Sequence, residues 1–229
     1  MLLVVFFVAA AVAQCSPSSS VYPTPPNPTI AGPGATLRSY VLLAVPFSTT
    51  SSSTQISGVR SWFPPANTVG NRPGTFTFSV ALYGTLGASP PLAVATGSAS
   101  GAAAGPYEVS FATPYVLAPS TTYYAAIYIY SNNVRVPSTY EDVSKEVAFA
   151  FDSASTTVGP SDCGVTINPT ASAYYGQFGT PPPPPTAGSF DPTLASSWPS
   201  ISFGSPDVST NVATDFAIEP VVESITGTE

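Results

Sequence analysis

Histidine is absent from this chain of 229 residues, and its absence closes off more chemistry than any motif opens. Without an imidazole there is no base for Ser-His-Asp or Cys-His nucleophile activation and no His-ligated metal site. Lysine occurs once, at Lys145, so Schiff-base or Ser-Lys chemistry would rest on a single residue. Charge is scarce, with 7% of residues charged against about a quarter in ordinary globular domains. The basic residues Arg38, Arg60, Arg72, Arg135 and Lys145 are scattered along a chain of net charge −7. Neutralising phosphates takes clustered Lys and Arg, so nucleic-acid binding is not expected. The two cysteines, Cys15 and Cys163, form no Cys-x-x-Cys pair, which excludes a structural zinc site. No Gly-rich phosphate loop follows a strand and opens a helix.

What is present is apolar, aromatic and heavily punctuated. Hydrophobic residues make up 44% of the chain, which separates it from the disordered class. The 27 prolines and 17 glycines interrupt it too often for long helices. Leu2 to Ala13 is an unbroken apolar run, shorter than the about 20 residues a membrane-spanning helix needs. It suits the h-region of a signal peptide, with Ala11-Val12-Ala13 as the small-x-small cleavage pattern, although no Lys or Arg follows Met1. Residues 14–35 are a Pro/Ser/Thr-rich arm, expected to be extended and solvated. Residues 223–229 read as a polar tail, in which no membrane or lipid anchor is expected. The expected product is secreted, held at the cell surface or wall, with no transmembrane span. In that oxidising compartment Cys15 and Cys163 are a candidate disulfide, pinning the arm to the domain or joining two chains. Both Asn-x-Thr triplets, at Asn27 and Asn168, carry proline in the middle, so any glycosylation of the Ser/Thr/Pro segments would be O-linked.

The domain is expected over 36–222 and is read from period-2 alternation. In Thr75 to Tyr83, Phe76, Phe78, Val80 and Leu82 alternate with Thr75, Thr77, Ser79 and Ala81. Tyr107 to Ala112 repeats the pattern through Tyr107, Val109 and Phe111, and Lys145 to Phe151 through Val147, Phe149 and Phe151. Leu37 to Val45, Gln55 to Phe63, Pro91 to Thr96, Thr121 to Tyr130 and Thr214 to Val222 complete the expected strands. Residues 152–213, which hold the pentaproline Pro181 to Pro185, read as an irregular Pro-rich excursion whose end returns to complete the sheet. Short strands at this spacing predict an all-β fold, an antiparallel β-sandwich of jelly-roll-like type in a single domain.

Several of these segments, in order, resemble an uncharacterised secreted β-sandwich domain of bacterial cell-surface and carbohydrate-active proteins. Ile56-Ser57-Gly58-Val59-Arg60-Ser61-Trp62-Phe63 resembles its opening strand, and Ser79 to Gly84 its second. Tyr107-Glu108-Val109-Ser110-Phe111 is similar to its "V.F..P" strand, and Leu117 to Tyr124 to its "L.AGTTY" turn and strand. Phe216 to Val222 resembles the closing strand, so the likeness spans about 37–222. It departs at the pentaproline and at Ser120, where that domain favours Gly. The family has no agreed catalytic residues. The resemblance implies a jelly-roll-like module attached to extracellular architecture. The pairing with Pro/Ser/Thr-rich segments is also similar, in composition only, to algal hydroxyproline-rich wall glycoproteins.

Candidate site residues come from the aromatics. In Thr121 to Tyr130, Tyr123, Ala125, Ile127 and Ile129 share one face, and Tyr124, Ala126, Tyr128 and Tyr130 the other. Tyr124, Tyr128 and Tyr130, extended by Trp62 and Trp198, would form a glycan-stacking row if exposed, since these rings join apolar area to a polar tip. If the Pro-rich arm or the excursion covers that face, the tyrosines become a satellite core. Paired carboxylates of glycosidase type remain possible, with Glu141, Asp142 and Glu146 close in sequence and Asp152 and Asp162 following, though these read more simply as solubilising charges. The same groups could hold Ca²⁺, though no acidic repeat matches a known loop; no other cofactor is implied. The expectation is therefore a non-enzymatic structural or adhesion module of an extracellular matrix, cell wall or surface appendage. Its partners would be an extracellular polysaccharide or glycoprotein, or other copies of a surface assembly. A carbohydrate-binding module is the first alternative and a polysaccharide-degrading enzyme with paired carboxylates the second.

Overall fold

Period-2 alternation in the sequence becomes two facing sheets in the structure. A computed structural model describes residues 41–50, 53–63, 75–85, 87, 90–100, 105–130, 150–152, 159–160, 164–167, 174–177, 191–198, 201, 214–216 and 218–226. Six strands come first: β1 (Val41–Thr49), β2 (Ser53–Phe63), β3 (Thr75–Tyr83), β4 (Ala93–Ser100), β5 (Gly105–Leu117) and β6 (Thr122–Tyr130). Five short ones follow, β7 (Ala150–Asp152), β8 (Gly159–Pro160), β9 (Val165–Ile167), β10 (Tyr174–Gln177) and β11 (Thr214–Phe216), and β12 (Ile218–Thr226) closes the series. A seven-stranded antiparallel sheet runs β4-β3-β6-β1-β9-β8, with β10 also pairing β1, and a three-stranded sheet runs β12-β2-β5. β7 and β11 form a two-stranded ladder. Most connections among the described strands change sheet, whereas β3–β4 and β8–β9 are consecutive antiparallel partners within the large sheet, and β9–β10 also stays within it.

The inward residues meet in one apolar core. It takes Val45 and Phe47 from β1, Phe78, Val80 and Leu82 from β3, and Tyr123, Ala125 and Ile127 from β6. From the small sheet come Ile56, Val59, Val109, Phe111, Leu117, Ile218 and Val222. Phe78 is 1% exposed at its centre, as the alternation of Thr75 to Tyr83 demands. On β5, Val109 and Phe111 point in while Glu108 and Ser110 point out, again as expected. At the sheet margin β4 and β5 approach so closely that a Cβ on Gly97 would stand 2.5 Å from Val109 Cγ2. Gly58 is held more tightly still: the backbone carbonyl of Val109 occupies the space its Cβ would need, beside the bulge in β2.

Three expectations change here. The last strand does not stop at Val222, since β12 continues into the expected polar tail and pairs Ser224, Ile225 and Thr226 with Gln55, Thr54 and Ser53. β1 does not stop at Val45; it continues through Pro46 to Thr49. Proline breaks a central strand because it cannot donate to the ladder. Here β10 pairs Val41 to Ala44 and β9 pairs Phe47 to Thr49, so Pro46 falls in the gap between two partners along that edge. The excursion over 152–213 is also less irregular than expected, since β8, β9 and β10 return to the large sheet. Strands of two to four residues are too short for alternation to declare itself. Of Lys145 to Phe151, only residues 150 and 151 lie among those described.

Candidate functional site

β6 lies between β3 and β1, so its outer face is the middle of the large sheet. The register sets three rows there. Tyr124 stands across from Tyr83 and Pro46, Ala126 across from Ala81 and Ala44, and Tyr128 across from Ser79 and Leu42. A row of three alanines thus runs between tyrosines, and side chains that end at Cβ leave a trough. The trough is filled by Trp198 and Ile201, which pack with Ala44, Ala81, Tyr83, Tyr124, Ala126 and Tyr128 as a second apolar cluster. Trp198 meets Tyr128 edge to face at 6.3 Å between centroids, a preferred aromatic geometry. The Ile201 carbonyl accepts the Gly87 amide at 2.7 Å from the β3–β4 connection. Burial pushes the Tyr83 phenol far above its ordinary pKa, because the phenolate would have to shed its water. Beyond the trough, Ser79 and Thr96 join hydroxyls at 3.0 Å.

The segment bearing Trp198 folds on itself. Asp191 Oδ1 accepts the Thr193 amide at 2.9 Å and its hydroxyl at 2.6 Å, which holds the Asp191 carboxyl below its usual pKa. A single 3-10 turn over Ala195–Ser197 follows, with the Ser197 hydroxyl donating to the Leu194 carbonyl at 2.8 Å. The Trp198 indole N–H donates to the Pro192 carbonyl at 3.1 Å.

These contacts correct the exposed stacking row. Tyr124 is 9% exposed, and Tyr128 and Trp198 are each 1% exposed. Trp198 does not extend a platform; it sits on Tyr128 and closes the face. A ring can stack on a sugar only with a free face, and these rings have given theirs to one another. The side chains of Tyr130 and Trp62 lie outside the described residues, although their backbones pair Thr77 and Pro106. Cys15, Cys163, Glu141, Asp142, Glu146 and Asp162 lie outside them as well, as do the expected signal peptide and Pro-rich arm, residues 1–35. Asp152 is on β7, opposite Thr214. Among the described residues no three His, Cys, Asp or Glu side chains converge as a metal site.

One constellation escaped the sequence reading. Arg60 on the central strand β2 stands opposite both Glu108 on β5 and Glu219 on β12. Its Nη2 donates to Glu108 Oε2 at 3.0 Å and its Nη1 to Glu219 Oε1 at 3.2 Å. Arg60 and Glu219 are buried, whereas the Glu108 side chain is 37% exposed. A guanidinium fork between two carboxylates fastens three strands together. Glu219 lies 159 residues from Arg60, so only the strand register could have revealed the pair.

Fold and site together define an antiparallel β-sandwich whose outer aromatic face is closed by a segment of its own chain. Compared with known proteins, the chain matches no family model, no curated protein and no solved structure. Among the described residues no helix is long and apolar enough to cross a membrane.

Proposed function

We propose that this chain is a secreted, non-catalytic structural module of an extracellular matrix, cell wall or surface appendage, carried on Pro/Ser/Thr-rich spacers. One observation carries the reading: Trp198 and Ile201 fill the trough between Tyr83, Tyr124 and Tyr128. The aromatic residues best suited to recognise a glycan are spent on a second core, which stiffens the sheet from its outer side. The scarcity of charge agrees with a packing role, as does the clamping of Glu108 and Glu219 by Arg60. Secretion rests on Leu2 to Ala13, and the mature chain would begin at Gln14.

Retention on insoluble wall polysaccharides, with Tyr128→Ala alongside, tests the reading. The expected result is no retention of the wild-type chain, and a Tyr128→Ala variant weakened by about 3–5 kcal/mol as a truncated core aromatic. Retention of the wild type, lost in a Tyr128→Ala variant that keeps full stability, would establish the carbohydrate-binding alternative instead. Intact mass of the secreted product checks the start at Gln14; a product still carrying Met1 to Ala13 overturns it.

A further inference from the structure

The segment that closes the aromatic face is built like a ligand. Within residues 191–198 a set of local hydrogen bonds links residues no more than six apart: Asp191 with Thr193 and Leu194, Leu194 with Ser197, Ala195 with Trp198, and Pro192 with the Trp198 indole. The indole N–H, the one polar atom of the plugging side chain, is therefore already satisfied within the segment. What this unit offers the sheet is apolar surface, Trp198 and Ile201, together with the Ile201 carbonyl for Gly87. A unit organised by its own local bonds pays little ordering cost when it docks. Nothing in that docking requires the unit and the trough to belong to the same molecule.

The covalent connections allow either arrangement. Residues 178–190 separate the unit from β10, and residues 202–213 separate Ile201 from β11. Each stretch can reach about 40 Å at roughly 3.3 Å per residue, several times the ~10 Å between packed sheets. The first contains Pro181 to Pro185. Exchange of an identical element between copies recreates the same contacts, so it costs little beyond association.

We propose that Trp198 and Ile201 are an exchangeable plug, and that in an assembly the plug of one copy fills the Tyr83–Tyr124–Tyr128 trough of a second copy of this chain. The partner of the aromatic face is then neither a sugar nor a foreign protein. Reciprocal exchange closes a dimer, while one-way exchange from copy to copy builds an open chain. This inference rests on the reading of the chain as an assembly module and supplies the contact by which copies would join.

Complementation between two damaged full-length chains provides the test. Trp198→Ala keeps the trough and loses the plug; Tyr128→Ala keeps the plug and spoils the trough. Differently tagged, the two are mixed, and hetero-pairs are captured and compared with each variant mixed with itself. The mixed pair holds one intact plug and one intact trough, and it should be captured about tenfold more than either self-pair. Equal capture overturns the proposal. Should either variant fail to fold, two differently tagged wild-type samples are mixed, passed through mild urea and returned to buffer. Hetero-species must then appear, and sedimentation must show mass rising with concentration; a monomer throughout overturns the proposal. Wild-type association that persists undiminished in folded Trp198→Ala defeats the plug but leaves the structural module standing. A wild-type monomer retained on polysaccharide defeats both.

Discussion

Gly97→Ala is the sharpest test of how the two sheets meet. A Cβ at Gly97 would lie 2.5 Å from Val109 Cγ2, against ~3.5–4.0 Å for relaxed carbon contacts. An overlap of about 1 Å in a packed margin costs about 1–3 kcal/mol. Replacing a strand glycine returns about 0.5–1 kcal/mol of backbone entropy, which leaves a net loss of about 1–2 kcal/mol. Val109 is 6% exposed, so Val109→Ala alone removes two buried methyls at ~0.8 kcal/mol each plus a cavity, about 2 kcal/mol together. The double variant puts the new methyl into the space the old ones vacated. Its stability should match that of Val109→Ala within about 0.5 kcal/mol, where independent sites would sum to about 3–4 kcal/mol. Urea unfolding followed by far-UV circular dichroism, with unchanged m-values across the set, measures each corner of the cycle. Additive losses, or a harmless Gly97→Ala alone, would show that β4 and β5 do not face each other as described.

Four further outcomes are expected. Phe78→Ala should cost about 3–5 kcal/mol by the same denaturation assay, and a loss below about 1 kcal/mol would mean the inward face of β3 is misassigned. Arg60→Met leaves the buried Glu219 carboxylate without its guanidinium and should cost about 3–5 kcal/mol; adding Glu219→Leu should recover most of it, and a deeper loss would refute the clamp. Ser120, the one described non-glycine residue with a left-handed φ, 52°, should gain up to about 1 kcal/mol on Ser120→Gly, strain relief outweighing the looser unfolded chain; a clear loss would count against that geometry. Tyr83 keeps its phenol protonated in the folded state, whereas the unfolded chain releases that proton near pH 10. The folded form then binds more protons, so the stability it has below about pH 10 is lost as pH rises further. Phenolate absorbance should show Tyr83 ionising only with unfolding, and its titration in a still-folded chain would contradict its burial.

How much of this was legible in the sequence follows from where each signal lives. The strands β3, β5 and β6 could be read because a half-buried strand writes its orientation into every second residue; Phe78, Val109 and Ile127 lie where alternation puts them. The two faces of β6 were separable, but what rests on Tyr124 and Tyr128 was not. Both an exposed row and a covered one have the same spacing, and the cover, Trp198, arrives from about 70 residues downstream with no periodicity of its own. β9 and β10 stayed hidden because three or four residues carry no period. Pro46 read as a breaker because the gap between two successive partners is a tertiary fact. Arg60 looked like one scattered cation for the same reason: its partners are fixed by register, not by proximity in the chain.

The order of strands has a consequence for how the molecule is made. β2 is hydrogen-bonded on one side to β5 and on the other to β12, its partner from the far end of the described chain. At roughly 5–20 residues per second, a ribosome working from Phe63 to Ile218 leaves one edge of β2 bare for about 8–30 s. Throughout that interval Glu219 is not yet there to meet Arg60, and the seats of Ile218 and Val222 in the core stand empty. A nascent chain is thus barred from completing the small sheet early, however well its first six strands associate. The secretion proposed above would carry the chain across a membrane as an unfolded thread, and a small sheet that closes last would suit that passage.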